Sequence, residues 1–259
     1  MSELITVGIA AARQAGEFLL EHLGHIQRIE EKADRNFATD VDKGAEALII
    51  DAISGRFPDH GVIAEEGGSR NPGADYLWVI DPLDGTHNFI RGIPLFGVSL
   101  GIVYKQQFVG GIIYMPVQDE LYVGEKGNGA YKNDARISVS AFTRLRECSV
   151  SYDSGIRYNP DIALPILREV ADQVFNVRML GSSARNLSLV AEGKLDAAIE
   201  FADQPWDCAG GVCIIEEAGG KIADLQGAPL TVRTVGYLAS NGRVHAAFQA
   251  IIDRHPEKR

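Results

Sequence analysis

The 259-residue chain has only three cysteines, Cys148, Cys208 and Cys213. An odd count without a Cys-x-x-Cys pair excludes a disulfide framework and a zinc cage. It fits reduced structural thiols in a reducing cytoplasm. Dense Lys/Arg runs are missing before the last few residues, so no direct nucleic-acid binding is expected. No apolar run is long enough to span a membrane. Met1-Ser2-Glu3-Leu4 lacks a basic stretch and a long apolar core, so no export signal is expected and the expected location is the cytoplasm. Neither Gly-x-Gly-x-x-Gly nor Gly-x-x-x-x-Gly-Lys-Ser/Thr occurs, which leaves a nucleotide-binding fold unsupported. A serine-nucleophile elbow is not expected either. Internal repeats and low-complexity linkers are absent as well.

Apolar residues make up 46% of the chain, ample for a large core, and the formal net charge is −10. The acidic excess keeps the chain soluble but repels anionic substrates. A phosphate substrate would therefore need local cations, which favours a metal site. The length suits one compact enzyme, residues 1–259, built from two packed halves, 1–140 and 141–259.

Ser2 is placed to cap a first helix with Ile5, Ile9, Ala12, Leu19 and Leu23 at helical spacing. A second helix follows Thr39. Val62 to Ala64 reads as a buried strand ending at Glu65-Glu66, and Tyr76 to Ile80 as another ending at Asp81. Segments Phe96 to Tyr104, Phe108 to Met115 and Glu120 to Gly124 predict an antiparallel meander. Beyond residue 140, strands near Val177 to Leu180, Ala197 to Phe201 and Lys221 to Ala223 alternate with helical stretches. These run from Arg185 to Ala191, from Cys208 to Ala218 and from Val244 to Arg254. The pattern predicts stacked helix and sheet layers.

Four acidic places stand out. In Asp81-Pro82-Leu83-Asp84-Gly85-Thr86-His87-Asn88-Phe89, Asp81 sits where a buried strand ends and Pro82 fixes a bend. Two carboxylates and a backbone carbonyl can then converge on one hard cation. A helix opening at Gly85 would aim free N–H groups at a phosphate. Taken alone, an Asp-x-x-Asp pair is more often a solvated turn or a cap. Glu65-Glu66 would point to opposite faces, so at most one enters the same site. Pro205-Trp206-Asp207 looks like a helix entry, which also suits a plain capping role for Asp207. The small residues after it allow close helix packing. Thr39-Asp40-Val41-Asp42 reads first as an N-cap; a functional role needs Asp42 to reach the same site. Lys32 reads as a surface lysine. Gly181-Ser182-Ser183 lies between a strand and a helix, so its amides can hold an anion.

Asp81-Pro82-Leu83-Asp84-Gly85-Thr86-x-Asn88-Phe89 resembles the central motif of the inositol monophosphatase family. Trp206-Asp207-x-Ala209-Gly210, with Glu216, Ala218, Gly219 and Gly220 after it, is similar to that family's second motif. Ala64-Glu65-Glu66 and Thr39-x-x-Asp42 stand in the expected order. The similarity runs from the first helix to Ser240-Asn241. It implies an α-β-α-β-α layered sandwich, the inositol monophosphatase/fructose-1,6-bisphosphatase-like sugar phosphatase fold. It implies two or three Mg2+ ions held by Glu65, Asp81, the Leu83 carbonyl, Asp84 and Asp207. By the same resemblance, Thr86 pairs with Asp42 to orient the attacking water and Glu65 acts beside them. Gly85 and Thr86 amides bind phosphate, Gly181, Ser182, Ser183 and Glu200 face the alcohol, and Asp84 also belongs to the substrate-binding set.

The implied activity is hydrolysis of inositol monophosphate, with lithium sensitivity and a homodimer as family traits. Related phosphatases act on fructose 1,6-bisphosphate, 3′-phosphoadenosine 5′-phosphate or histidinol phosphate. Glu200 favours a polyol, since a carboxylate accepts hydrogen bonds from hydroxyls. Some bacterial members also bind the transcription machinery, in antitermination and RNA processing, which implies a possible protein partner. His87, Asn36, Asn186 and the glycine-free run Phe201-Ala202-Asp203-Gln204 depart from the family pattern. None removes a metal ligand.

Overall fold

The computed structural model describes the backbone at residues 1–26, 28–33 and 36–255, with the side chains of those residues apart from 30–38. The side chains of Lys32 and Asn36 lie outside that description. Ser2 Oγ accepts from the Ile5 amide and starts α1 (Glu3–His22), which buries Ile5, Ala11, Ala12, Ala15 and Leu19 along one face. A hairpin of β1 (Ile29–Ala33) and β2 (Asn36–Thr39) follows. Thr39 then caps α2 (Asp40–Arg56) in a capping box with Asp42.

The next elements are β3 (Gly61–Ala64), β4 (Gly68–Arg70), β5 (Tyr76–Asp84), the short α3 (Thr86–Ile90), β6 (Gly97–Tyr104), β7 (Gln107–Met115), β8 (Glu120–Glu125), β9 (Gly129–Lys132) and β10 (Ala135–Arg136). They form an eight-stranded sheet in the order β10-β9-β8-β7-β6-β5-β3-β4. The expected meander is its centre. Only β3 and β5 run parallel. β5 extends past the expected Ile80, but its ladder with β6 shifts between Asp81 and Asp84, where Pro82 has no N–H to give.

The second sheet has five strands in the order β12-β11-β13-β15-β14. Its elements are β11 (Ser149–Tyr152), α4 (Pro160–Gln173), β12 (Asn176–Arg178), α5 (Ser183–Ala191), β13 (Ala197–Glu200), α6 (Pro205–Glu217), β14 (Lys221–Ala223), β15 (Tyr237–Ser240) and α7 (His245–Asp253).

Three apolar clusters make five layers. One joins α1 and α2 to the outer face of the large sheet. The second joins the inner faces of both sheets through α5 and α6. The third joins α4 and α7 to the far face of the small sheet. The result is the expected α-β-α-β-α sandwich. Among the described residues, no helix is long and apolar enough to cross a membrane.

α6 lies very close to the large sheet. A Cβ at Gly111 would stand 2.2 Å from the Gly210 carbonyl oxygen, and one at Gly124 2.6 Å from the Ile214 Cα. Glycine on both partners allows this approach. It carries Asp207, in the first turn of α6, to the end of β5. α5 is tied to the same sheet by charge: Arg185 Nη1 donates to Glu120 Oε2 at 2.5 Å, and Lys132 Nζ bridges Glu120 and Glu192 at 2.6 and 3.0 Å.

Candidate active site

A cavity of about 590 Å³ opens where β3 and β5 end, beside the N-termini of α5 and α6. Glu65, Asp81, Leu83, Asp84, Gly85, Thr86 and Asp207 line one end, and Gly181, Ser182, Ser183 and Glu200 the other. Every expected site residue except Asp42 is on the wall. Asp42 is buried behind it and reaches the cavity through Thr86, whose Oγ1 lies 3.1 Å from Asp42 Oδ1 and 3.1 Å from the Leu83 carbonyl. Asp42 Oδ2 also accepts from the Thr39 amide at 2.8 Å and from Thr39 Oγ1. It therefore caps α2 and touches the cavity wall through Thr86 at once. Of the Glu65-Glu66 pair, only Glu65 lines the cavity; the Glu66 amide donates to Glu46 Oε2 at 2.8 Å.

The bend after Asp84 depends on Gly85, at φ 85°, with Leu95 O 2.9 Å from where a Cβ would be. Asn88 fixes the far side. Its Nδ2 donates to the carbonyls of Leu95, Leu180 and Gly181 at 2.7, 2.8 and 3.1 Å, which ties the motif to the loop before α5.

The carboxylates are crowded. Burial, then the charges of Glu65, Asp84 and Asp207, hold Asp81 well above the usual carboxylate range. Asp207 is raised in the same way by burial, then by Asp203, Glu65 and Asp84. Burial pushes Asp84 up to about 6, although Ser182 Oγ and the amides of Ser183 and Ala184 (2.9 and 3.1 Å) donate to it. Burial also raises Asp42 against the hydrogen bonds from Thr39 and Thr86.

Among the described residues, no three such groups stand close enough to enclose an ion with their side chains as they are. The hydrogen bonds show why. Asp84 faces the start of α5, Asp207 Oδ2 accepts from the Gln204 amide at 2.7 Å, and Asp81 Oδ1 from the Leu83 amide at 3.0 Å. Each carboxylate keeps further lone pairs for a ligand. The donor set is all oxygen, four carboxylates and the Leu83 carbonyl, which suits a hard divalent cation. Their mutual repulsion is what such a cation relieves. The residues present thus fit a metal of this type.

Three contributors were not singled out from the sequence. Asp153 follows β11 and Asp203 precedes α6; both line the cavity. Burial pushes Asp203 up to about 8 and, with the charges of Asp203 and Asp153, holds Glu200 well above its usual range. The third is Asn88. The only signal for Asp203 was the missing glycine after Glu200. Asn186, another departure, donates Nδ2 to Glu200 Oε1 at 2.8 Å and accepts from Ser151 Oγ at 2.7 Å. One expectation needs correction: the letters Gly-x-Ser-x-Gly do occur, at Gly97-Val98-Ser99-Leu100-Gly101. They lie inside β6 rather than on a strand-to-helix turn. Ser99 is fully buried, and its Oγ accepts from the Gly210 amide at 3.3 Å, so it is no nucleophile.

Residues 1–257 match the model of the inositol monophosphatase family. The fructose-1,6-bisphosphatase/inositol-1-monophosphatase of Aquifex aeolicus is 38% identical over 99% of this chain and 98% of its own. Nus factor SuhB of Pseudomonas aeruginosa is 33% identical over 98% of this chain and 97% of its own. The crystal structure of the extragenic suppressor protein suhB of Bartonella henselae matches with a TM-score of 0.93 at 32% identity, covering 98% of this chain and 100% of that one. With the acidic cavity, these similarities define a phosphatase of the layered α/β class. The chain belongs to the inositol monophosphatase family.

Proposed function

We propose that the protein hydrolyses inositol monophosphate and similar small phosphate monoesters with two or three Mg2+ ions. One observation carries this: Glu65, Asp81, Asp84 and Asp207 line one end of a cavity whose wall also holds Thr86, backed by Asp42. Bound among these carboxylates, magnesium would neutralise phosphoryl charge, acidify the attacking water and ease departure of the alcohol.

The chain's own residues do the rest. The Thr86 hydroxyl donates to Asp42 Oδ1 and presents a lone pair to a water in line with phosphorus. As the water attacks, its proton passes to Thr86 Oγ1 and the Thr86 proton to Asp42. The raised pKa of Asp42 makes it the better acceptor. Glu65 acts on the same water from the cavity wall. Gly85 and Thr86 amides hold phosphate oxygens. Gly181, Ser182, Ser183 and Glu200 face the alcohol. The P–O bond to the alcohol breaks, water oxygen joins phosphorus, the leaving oxygen takes a proton from solvent water as Asp42 later returns its proton to solvent, and no covalent enzyme intermediate is needed. A homodimer in the cytoplasm, inhibited by lithium, completes this reading.

The test is phosphate release from inositol 1-phosphate and a panel of monoesters, with and without magnesium. Magnesium-dependent release from inositol 1-phosphate is expected. No release from any ester would overturn the reading. A second reading, a transcription partner, is supported by the whole-length similarity to a Nus factor. Recovery of RNA polymerase or its elongation factors with the tagged protein at mild salt would support it, and recovery of neither would count against it.

A further inference from the structure

α2 carries two buried carboxylates, Asp42 and Glu46, four positions apart and so on one face of the helix. Asp42 meets Thr86, just past the end of β5. Glu46, only 5% exposed, meets the neighbouring strand end of the site. Its Oε2 accepts from the Glu66 amide at 2.8 Å. Glu66 is the middle of the turn 65–67 between β3 and β4, and Glu65, on the cavity wall, is the residue before it.

One side of this turn is fixed by the large sheet, since the Glu65 amide donates to the Ile80 carbonyl at 3.2 Å. The other side leads into β4, three exposed residues at the edge of that sheet. A second cavity, of about 250 Å³, lies between α2 and β4, with Lys43, Glu46 and Ile50 on the helix side and Gly67, Gly68 and Arg70 facing them. The bond from the Glu66 amide to Glu46 joins the turn to the helix beside this gap. Gly67 makes room for the carboxylate: a Cβ there would stand 2.7 Å from Glu46 Oε1. Both Glu46 oxygens therefore lie against the turn.

Burying a carboxylate on a helix costs free energy that an apolar residue would not. The buried positions around it on α2 are apolar, at Ala45, Ile49 and Ile53. Groups that hold a ligand residue from behind are part of a metal site, because they aim its oxygens. We propose that Glu46 is a positioning residue: through the Glu66 amide it fixes the turn that aims Glu65 into the cavity, and so sets the affinity of the carboxylates for a divalent cation. This rests on the metal site of the function proposed above. One helix then holds two arms of the site, Thr86 through Asp42 and Glu65 through Glu46.

Three variants separate reach from charge. Glu46→Ala removes the acceptor. Glu46→Gln keeps an acceptor oxygen at the same reach and removes the charge. Glu46→Asp keeps the charge and draws it back by one methylene. Affinity is read without turnover, as the heat of magnesium binding and as the rise in melting temperature when magnesium is added to metal-free protein. The magnesium concentration for half-maximal phosphate release is read beside it. Glu46→Ala and Glu46→Asp should weaken magnesium binding by about 10- to 100-fold, with kcat at saturating magnesium changed far less. Glu46→Gln should stay close to the unaltered protein.

Glu46→Gln as weak as Glu46→Ala overturns the inference, because the effect would then lie in the charge and not in the hold on the turn. A lower melting temperature without any change in magnesium affinity also overturns it, since that is a purely structural role. Should Glu46→Ala not fold, the contrast between Glu46→Gln and Glu46→Asp carries the same test. If the unaltered protein binds magnesium yet releases phosphate from no ester, the phosphatase reading fails, and the order of the magnesium affinities still supports or overturns the role of Glu46. No magnesium binding by the unaltered protein overturns both.

Discussion

The two ends of the cavity are both acidic, yet they are built differently. At the end proposed to hold the metal, Glu65, Asp81 and Asp84 come from strand ends of the eight-stranded sheet and Asp207 from a helix pressed onto it. Their positions follow from backbone geometry: a proline break, a left-handed glycine and a glycine-lined helix contact. At the leaving-group end, Asp153, Glu200 and Asp203 come from the five-stranded sheet and the loop after β13. There Glu200 and Asp203 are anchored by side chains, Asn186 and Ser183, while backbone amides hold Asp153. Rigid placement suits bond breaking, where small displacements are costly. Side-chain anchoring suits choice of substrate, because one substitution alters the charge pattern without moving the frame.

Breaking the metal end should have the largest effect. Asp84→Asn removes a ligand charge and should lower kcat by about 10^3-fold at saturating magnesium, read by phosphate release. Thr86→Val keeps the shape but removes the hydroxyl between Asp42 and the water. It should lower kcat by about 10^2-fold, with KM little changed, in the same assay. The leaving-group end should respond differently, with Asp203→Asn altering the ratio between esters more than the rate on either. Gly85→Ala tests the frame. With φ at 85° and Leu95 O in the way, it should destabilise by about 1–3 kcal/mol in denaturant unfolding.

Stability against pH sharpens the comparison further. Asp84 and Asp203 have folded pKa values raised to about 6 and about 8, so the folded protein binds more protons than the unfolded chain above pH ~4. Stability of the metal-free protein should therefore fall as pH rises from about 4 to 8. In the presence of a chelator, the melting temperature should be lower at pH 8 than at pH 5, by about 5 °C or more. Magnesium should restore it at pH 8 and have little effect at pH 5. A melting temperature flat with pH would contradict the picture of crowded, repelling carboxylates.

Much of the metal end was legible in the sequence because its signals are local. Five apolar residues before Asp81, then Pro82 and Gly85, announce a strand, a break and a turn within ten positions. α1, α2 and the meander were legible from periodicity and caps. α4 was not singled out; Pro160 takes its first helical position and Pro165 is accommodated inside it. β11 and β15, at four residues each, carry too little pattern of their own and are defined by their neighbours in the sheet. Asp42 needed the structure to show that one carboxylate both caps α2 and meets Thr86. Asp153 is brought beside Glu200 by the Phe201 amide, 48 residues along the chain, and Asp203 is held by Ser183, 20 residues before it, which no local spacing encodes.

The most direct test sets the unaltered protein beside Asp84→Asn at saturating magnesium and measures phosphate release from inositol 1-phosphate. The account predicts magnesium-dependent release by the unaltered protein and a loss of about 10^3-fold in the variant. Release by the variant at the unaltered rate would contradict it, and would place the chemistry elsewhere than at the meeting point of Glu65, Asp81, Asp84 and Asp207.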